Sequence, residues 1–397
     1  MKKIMILGAS ILQLPAIRKA KELGLSVVAV DMNPLAVGFL EDGIEREIIS
    51  TLDIPAVVAA AKRHAVDGVM TLASDMPMRT VAAVARELGL VGISEETAEK
   101  ATNKASMRKA LREGGVPIPE FYRVSSEEEF RAAVQKLPAP FIVKPADNSG
   151  SRGIVKIEDK SDTEQLLAAY RYSRSHARGG DVVAEEYMTG PEVSVETLTV
   201  DGICHIVQIT DKITTGAPHF VEMGHTQPSG LPEDTLLRIA EVARAANRAL
   251  GIDNGPSHTE VIVTEEGPKI VELGARLGGD CITTHLVPLS TGVDMVASCL
   301  RIALGESPSL TTREGRGAAI RYLRAKPGKI LSIDGCREAE TLPGIAQVSI
   351  VHGVGETATE IESSSDRLGF VIASASNREE AVRRCEDAVE KIKIEVE

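Results

Sequence analysis

The sequence predicts a multi-domain chain that opens as α/β with a parallel sheet and closes as α+β. Three observations carry that expectation. Short apolar runs alternate with helix-period stretches through the first ninety residues, the βαβα rhythm of a parallel sheet whose carboxyl-end loops face a ligand. Val116-Pro117-Ile118-Pro119 then breaks the pattern as a domain boundary does. Near Gly305 the composition shifts, and residues 315–397 read as a small α+β domain ending in the charged helix Arg378 to Lys391. The length of 397 residues suggests two to four domains, at roughly 100–200 residues each.

In order, Lys3 to Leu7 is a strand ending at Gly8-Ala9-Ser10, and a helix follows to Leu23 with Gly24 as its stop. Ser26 to Val30 and Gly68 to Leu72 are further buried strands, and Val81 to Leu88 is a helix stopped by Gly89. Ser94 to Gly114 is helical, with Asn103 capping a second helix that starts at Lys104. Strands are expected at Phe141 to Val143, Gly153 to Ile157 and Asp181 to Glu185, with a helix near Thr163 to Arg174. Val193 to Val200 and Ile203 to Ile209 form a hairpin around Asp201-Gly202. Pro232 to Leu250 is an amphipathic helix.

Composition excludes several classes of function. With 45 Lys and Arg against 57 Asp and Glu, the formal charge is −12, which argues against a nucleic-acid partner gripped by its phosphates. There is no Trp and only 3% aromatics, so a base-stacking surface is not expected. Five scattered cysteines, Cys204, Cys281, Cys299, Cys336 and Cys385, show no CxxC spacing; neither a disulfide framework nor a zinc site is expected, and a reducing compartment is. No run approaches the roughly 18 apolar residues of a membrane span, and the apolar start is cut short by Gln13, Arg18, Lys19 and Lys21. The expectation is an acidic cytoplasmic enzyme with no membrane partner.

The most informative segment runs from Ser257 to Glu272. Two β-type runs, about 258–264 and 268–273, flank Glu265-Glu266-Gly267, so a hairpin is expected. Centred on Glu266, it sets Glu260 opposite Glu272 on one face, with Cβ atoms about 4.5–5.5 Å apart. Two carboxylates so close raise one pKa or call for a cation between them. Oxygen-only ligands beside phosphates favour Mg²⁺, with Mn²⁺ as the substitute. Just beyond lies Leu273-Gly-Ala-Arg276-Leu-Gly-Gly, where an arginine in a glycine-rich loop can reach a phosphate.

Two further constellations belong with it. Lys144 ends a buried strand, where a charge needs a partner, and Ser149-Gly150-Ser151-Arg152-Gly153 follows, a loop small enough for backbone N–H groups to approach a polyphosphate. It is not a Walker loop, because GxxxxGK[ST] is absent. Glu185-Glu186-Tyr187-Met188 ends another strand and offers backbone groups to an adenine edge, with Glu192 placed to accept ribose hydroxyls.

Taken in order, Lys104, Lys144, the 149–153 loop, Glu185 to Met188, Glu192, Glu260, Glu272 and Arg276 resemble the ATP-grasp superfamily over about residues 1–305. The resemblance implies a Rossmann-like domain at 1–93, a two-subdomain ATP-grasp fold at 94–305 with a mobile part at about 117–190, and a C-terminal α+β lid at 306–397. It implies that Lys104 and Lys144 hold ATP phosphates under a loop formed by Ser149, Gly150, Ser151 and Gly153. Glu185, Glu186 and Met188 would surround adenine, Glu192 would bind ribose, and Glu260 and Glu272 would be the metal ligands. Arg276, with Lys144, would stabilise charge on the transferred phosphoryl group. One departure is Gly274, where many members carry a metal-binding Asn, so a second ion would be held less fully.

Phe220-Val-Glu222-Met-Gly-His225, Pro228-Ser229 and Glu-Leu-Gly-Ala-Arg-Leu-Gly-Gly-Asp resemble the L-amino-acid ligases. That resemblance places Glu222, His225 and Asp280 at the amino-acid site and implies ATP-dependent joining of a carboxylate to an amine, with a homodimer as the common assembly. Purine-pathway ligases and biotin-type carboxylases share the scaffold and stand as alternatives. A nicotinamide enzyme is disfavoured, since Ser10 and Gln13 occupy the second and third glycine positions of GxGxxG. A nucleotide-binding protein without catalysis is disfavoured by the retention of Glu260, Glu272 and Arg276.

Overall fold

Runs of Ile, Val and Met flanked by Gly build the first layer. In the computed structural model, which describes residues 1–397 except 149, 151 and 314, four parallel strands lie in the order Glu45–Glu47, Ser26–Val30, Lys3–Leu7, Gly68–Thr71. Helices Leu14–Glu22 and Pro77–Leu88 cover the sheet, as the helical periodicity requires. The second begins four residues earlier than Val81, because Pro77 is pre-set for a first helical turn. Helix Ile54–His64 was not expected; Asp53 caps it, and Val57, Ala60 and Ala61 form its buried face. Asn103 caps helix Lys104–Glu113 by accepting from the amides of Ala105 and Ser106, the bond its position at the break predicts.

Residues 121–186 form a lobe with its own four-stranded antiparallel sheet, ordered Phe121–Val124, Val182–Glu186, Phe141–Pro145, Val155–Ile157. Its core is separate, built around Phe130 and Tyr170 stacked at 5.1 Å. A second, eight-stranded sheet faces it, in the order Gly267–Gly274, Gly255–Thr264, Glu192–Val200, Ile203–Thr214, Glu222–Gln227, Gly317–Leu323, Gly369–Ala375, Ile345–Ile350. The last three strands come from the C-terminal part of the chain, which therefore extends this sheet as well as forming a layer of its own. Strand Glu222–Gln227 supplies the join, pairing Gly224 with Arg321 and Gln227 with Ala318.

The acid hairpin differs from the expected one in its turn. Only Glu265 and Glu266 lie between the strands, and Gly267 pairs with Thr264. Continued without interruption, that register would set Glu260 opposite Val271. A β-bulge intervenes: Val261 pairs with Ile270 and Glu260 with Glu272, which leaves Val271 as the extra residue. The bulge, rather than a longer turn, brings the two acids opposite one another.

Candidate active site

The two sheets enclose a cleft of about 980 Å³, a size suited to a nucleotide-like ligand. Lys104, Lys144, Gly150, Glu185, Glu186, Met188, Glu192, Glu222, Glu260 and Glu272 all line it. Residues up to 168 positions apart in sequence thus share one wall system, most of them at the end of, or within, a strand or helix directed at the gap. Ser149 and Ser151 lie outside the described residues.

Charges on the walls are paired rather than loose. Lys104 donates to Glu272 Oε1 at 2.8 Å and to the Asn148 carbonyl at 2.6 Å, tying one acid to the base of the 149–153 loop. Lys144, 4% exposed, contacts Glu185. Burial weakens the hold of Lys144 on its proton, and the Glu185 carboxylate opposes that. Glu185 also accepts from Arg108 at 2.9 and 3.0 Å, so its carboxylate braces two cations rather than facing the cleft as a free acid. Glu186 faces Lys269, and the Tyr187 ring lies 4.1 Å from Lys156 Nζ. Gly153 packs instead against Pro145 and His176, where an added Cβ would approach within 2.8 and 2.7 Å.

Sequence reasoning missed the cation at the centre. Lys212 lies on strand Ile203–Thr214, hydrogen-bonded to Glu192, 3.2 Å from Glu260 and 3.5 Å from Glu222. Burial works against its charge, but Glu260, Glu192 and Glu222 together hold its pKa well above the usual lysine range. Burial likewise disfavours ionised Glu260, yet Lys212 and then His258 keep its carboxyl well below the usual range. Burial, helped by Glu260 and Glu222, raises Glu192 in spite of Lys212. Behind Glu260, His258 Nδ1 is 2.6 Å from buried Glu196; burial lowers its pKa and Glu196 overrides that, to about 9. Gly278 is required there, since a Cβ would come within 2.7 Å of His258 Nδ1. The only sequence signal for Lys212 was a lysine inside an otherwise β-type run.

Arg276 is half-buried beside the cleft rather than lining it. Its Nε donates to Asp75 Oδ1 at 2.7 Å, a residue that follows the parallel strand Gly68–Thr71. This pair accounts for Gly274: a side chain there would come within 2.9 Å of Asp75 Oδ1 and 3.2 Å of Arg276 Nε. The glycine leaves room for an arginine anchored to the chain beyond strand Gly68–Thr71.

Glu222 and His225 share strand Glu222–Gln227, with His225 only 1% exposed and its Nε2 3.4 Å from Asp280 Oδ2. Asp280 and Cys281 both have left-handed backbones, φ +51° and +60°, uncommon for residues with a Cβ and often a mark of sites. Arg367, from the C-terminal part, holds Asp280 bidentately at 2.8 and 2.9 Å and lies 3.7 Å from the Tyr322 ring. Burial raises the Asp280 carboxyl, but His225 and Arg367 hold it far below its ordinary value. Asp280→Asn, which tolerates the left-handed backbone, is expected to destabilise by about 2 kcal/mol at neutral pH through the unpaired arginine. The folded pKa is depressed, so this contribution is complete above the unfolded value of about 4 and is lost as pH falls further. Thermal unfolding of both proteins from pH 7 to pH 3 checks it; a constant difference down to pH 3 would remove the ion pair from the account.

Two lobes closing on a cleft with paired lysines, a small-residue loop and opposed acids make the ATP-grasp architecture. Residues 137–284 match the ATP-grasp domain family, and residues 321–397 match the L-amino acid ligase C-terminal domain 2. The chain is 31% identical over 358 residues to an uncharacterized Sinorhizobium fredii protein, covering 88% of this chain and 73% of that one. It is 30% identical to the L-arginine-specific L-amino acid ligase of Bacillus subtilis, over 74% of this chain and 71% of that enzyme. An L-amino acid ligase structure from Bacillus licheniformis superposes with a TM-score of 0.86 at 26% identity, covering 100% and 99% of the two chains. The chain belongs to the L-amino acid ligase family of the ATP-grasp superfamily, and is an ATP-dependent carboxylate–amine ligase that forms an amide bond. Enzymes of this kind use ATP with a divalent metal and act on small molecules. Among the described residues no single helix is long and apolar enough to cross a membrane.

Proposed function

We propose that the enzyme joins the carboxylate of one amino acid to the amine of another through an acylphosphate, releasing ADP and phosphate. The observation that carries this reading is Lys212, which links Glu192 and Glu260 in the nucleotide cleft to Glu222 on the strand that also bears His225. Phosphoryl donor and carboxylate acceptor would meet where that ammonium sits.

The acids suit a magnesium ion. Among the described residues no group of three or more His, Cys, Asp and Glu could hold a metal unaided. Two opposed carboxylates with phosphate oxygens completing the shell are, however, how Mg²⁺ is commonly bound at nucleotide sites, and Mn²⁺ accepts the same donors. Glu260 and Glu272 would hold it, and the ion would supply charge neutralisation at the phosphates.

In this reading a carboxylate oxygen of the first substrate attacks the γ-phosphorus, and the bond to the ADP oxygen breaks. Lys144 and Arg276 act on charge in the transferred group, and Lys104 on the phosphate chain; positioning and charge do most of the work. Gly150 and Arg152, which line the cleft, would lie over the phosphates, since an acylphosphate open to water hydrolyses. The second substrate's amine then attacks the acyl carbon, passes through a tetrahedral intermediate and expels phosphate. Glu222 and His225 are the groups that would orient that amine.

ADP and phosphate release measured with Mg-ATP across the amino acids, singly and in pairs, with mass spectrometry of the products, tests the proposal. Turnover that requires a pair and yields a dipeptide mass is expected. Turnover with bicarbonate or a phosphoribosylamine, and none with amino acids, would overturn the substrate class and retain the nucleotide site.

A further inference from the structure

Arg108 is the largest side chain fully enclosed by the protein, 1% exposed on helix Lys104–Glu113. A buried guanidinium is costly unless its donors are met. Here they are met from two directions. Nε and Nη2 donate to Glu185 Oε2 at 3.0 and 2.9 Å, on the small lobe's strand Val182–Glu186. Nη1 and Nη2 donate to the carbonyls of Ile270 and Val271 at 3.2 and 2.7 Å.

Those two carbonyls belong to the bulge. Strand Gly267–Gly274 is the edge of the eight-stranded sheet, so its outward backbone groups have no ladder partner, and a bulge leaves the extra residue unpaired. The Pro117 carbonyl accepts from the Ile270 amide at 2.9 Å, and Arg108 supplies the donors for the carbonyls. Relaxing the bulge would shift Glu260 from Glu272 to Val271.

We infer that Arg108 is a positioning residue for the metal-binding acids: by holding the bulge at Ile270 and Val271 it keeps Glu272 opposite Glu260. This rests on the reading of Glu260 and Glu272 as the metal ligands. Its other end serves the Glu185–Lys144 contact, so the two ends act on different parts of nucleotide binding. The carbonyl end sets the gain in nucleotide affinity that a divalent ion confers. The carboxylate end sets the affinity found without metal.

The test is equilibrium binding of trinitrophenyl-ATP to the full chain, in EDTA and with Mn²⁺. Mn²⁺ tightens binding to the wild type, and Glu272→Gln abolishes that gain. Arg108→Lys keeps charge and bulk but cannot span both carbonyls and Glu185. It is expected to lose about 10-fold of the Mn²⁺ gain, the scale of losing a group that orients a metal ligand, and any weakening at the Glu185 end is read separately in the metal-free affinity. Glu185→Gln, which leaves the carbonyl bonds in place, shows the reverse: weaker metal-free binding and an intact Mn²⁺ gain. An undiminished Mn²⁺ gain in Arg108→Lys, or its loss in Glu185→Gln, overturns the role of Arg108. A gain that survives in Glu272→Gln overturns instead the metal assignment on which it rests.

Discussion

Glu272→Gln is expected to lower kcat on the order of 10²–10³-fold, the scale of removing a preorganised charge-stabilising group from a transferring centre, and to shift the magnesium optimum upward. Two effects combine. The substitution removes the negative oxygen proposed as a metal ligand, and it releases Lys104, whose ammonium lies 2.8 Å from Glu272 Oε1. Lys104 also holds the Asn148 carbonyl, so the chain at Asn148 loses a fixed point on that side. The fold is expected to survive, since Glu272 is partly exposed and its backbone pairing with Glu260 does not depend on charge. Amino-acid-dependent ADP release measured against Mg²⁺ concentration decides this. A variant with wild-type kcat at low Mg²⁺ would show that Glu272 holds no ion.

The second large effect is expected at Arg276. Arg276→Ala should reduce kcat by about 10²-fold or more while the KM for ATP moves little, because the guanidinium lies beside the cleft rather than along the walls proposed for adenine and ribose. The ion pair with Asp75 makes the position of this charge depend on the N-terminal domain. Asp75→Asn should therefore produce a smaller loss in the same direction, with Arg276 present but less firmly held. Steady-state kinetics on both variants separate the two terms. A normal kcat in Arg276→Ala would remove the residue from the chemistry.

What was legible in the sequence was local. The hairpin from Ser257 to Glu272 could be read from two β-type runs and a short turn, although the Glu260–Glu272 pairing itself depends on the bulge, and the Asn103 cap could be read from its place between two helical stretches. The hairpin around Asp201-Gly202 was legible for the same reason, since both residues take the left-handed backbone of a tight turn, φ +48° and +77°. The bulge was not legible: Val271 looks like any strand residue, and its irregularity is fixed by Arg108 and Pro117 from outside the strand. Lys212 and Arg108 were missed because single basic residues on a strand and a helix ordinarily reach solvent. Lys104 and Arg108 stand four apart on one helix, however, and so share a face. Two buried cations on one face were a signal of acids opposite. Asp75 was invisible for a different reason, because its partner is 201 positions away.

The continuation of the central sheet into the C-terminal strands bears on how the protein can be cut. A chain ended at residue 305 would keep every side chain that lines the cleft, yet the strand Glu222–Gln227 would lose its neighbour Gly317–Leu323. Its row of backbone donors and acceptors would become an open template for pairing with another chain. The C-terminal segment thus protects the catalytic half from self-association, and the boundary drawn on composition near Gly305 is a poor place to divide the enzyme.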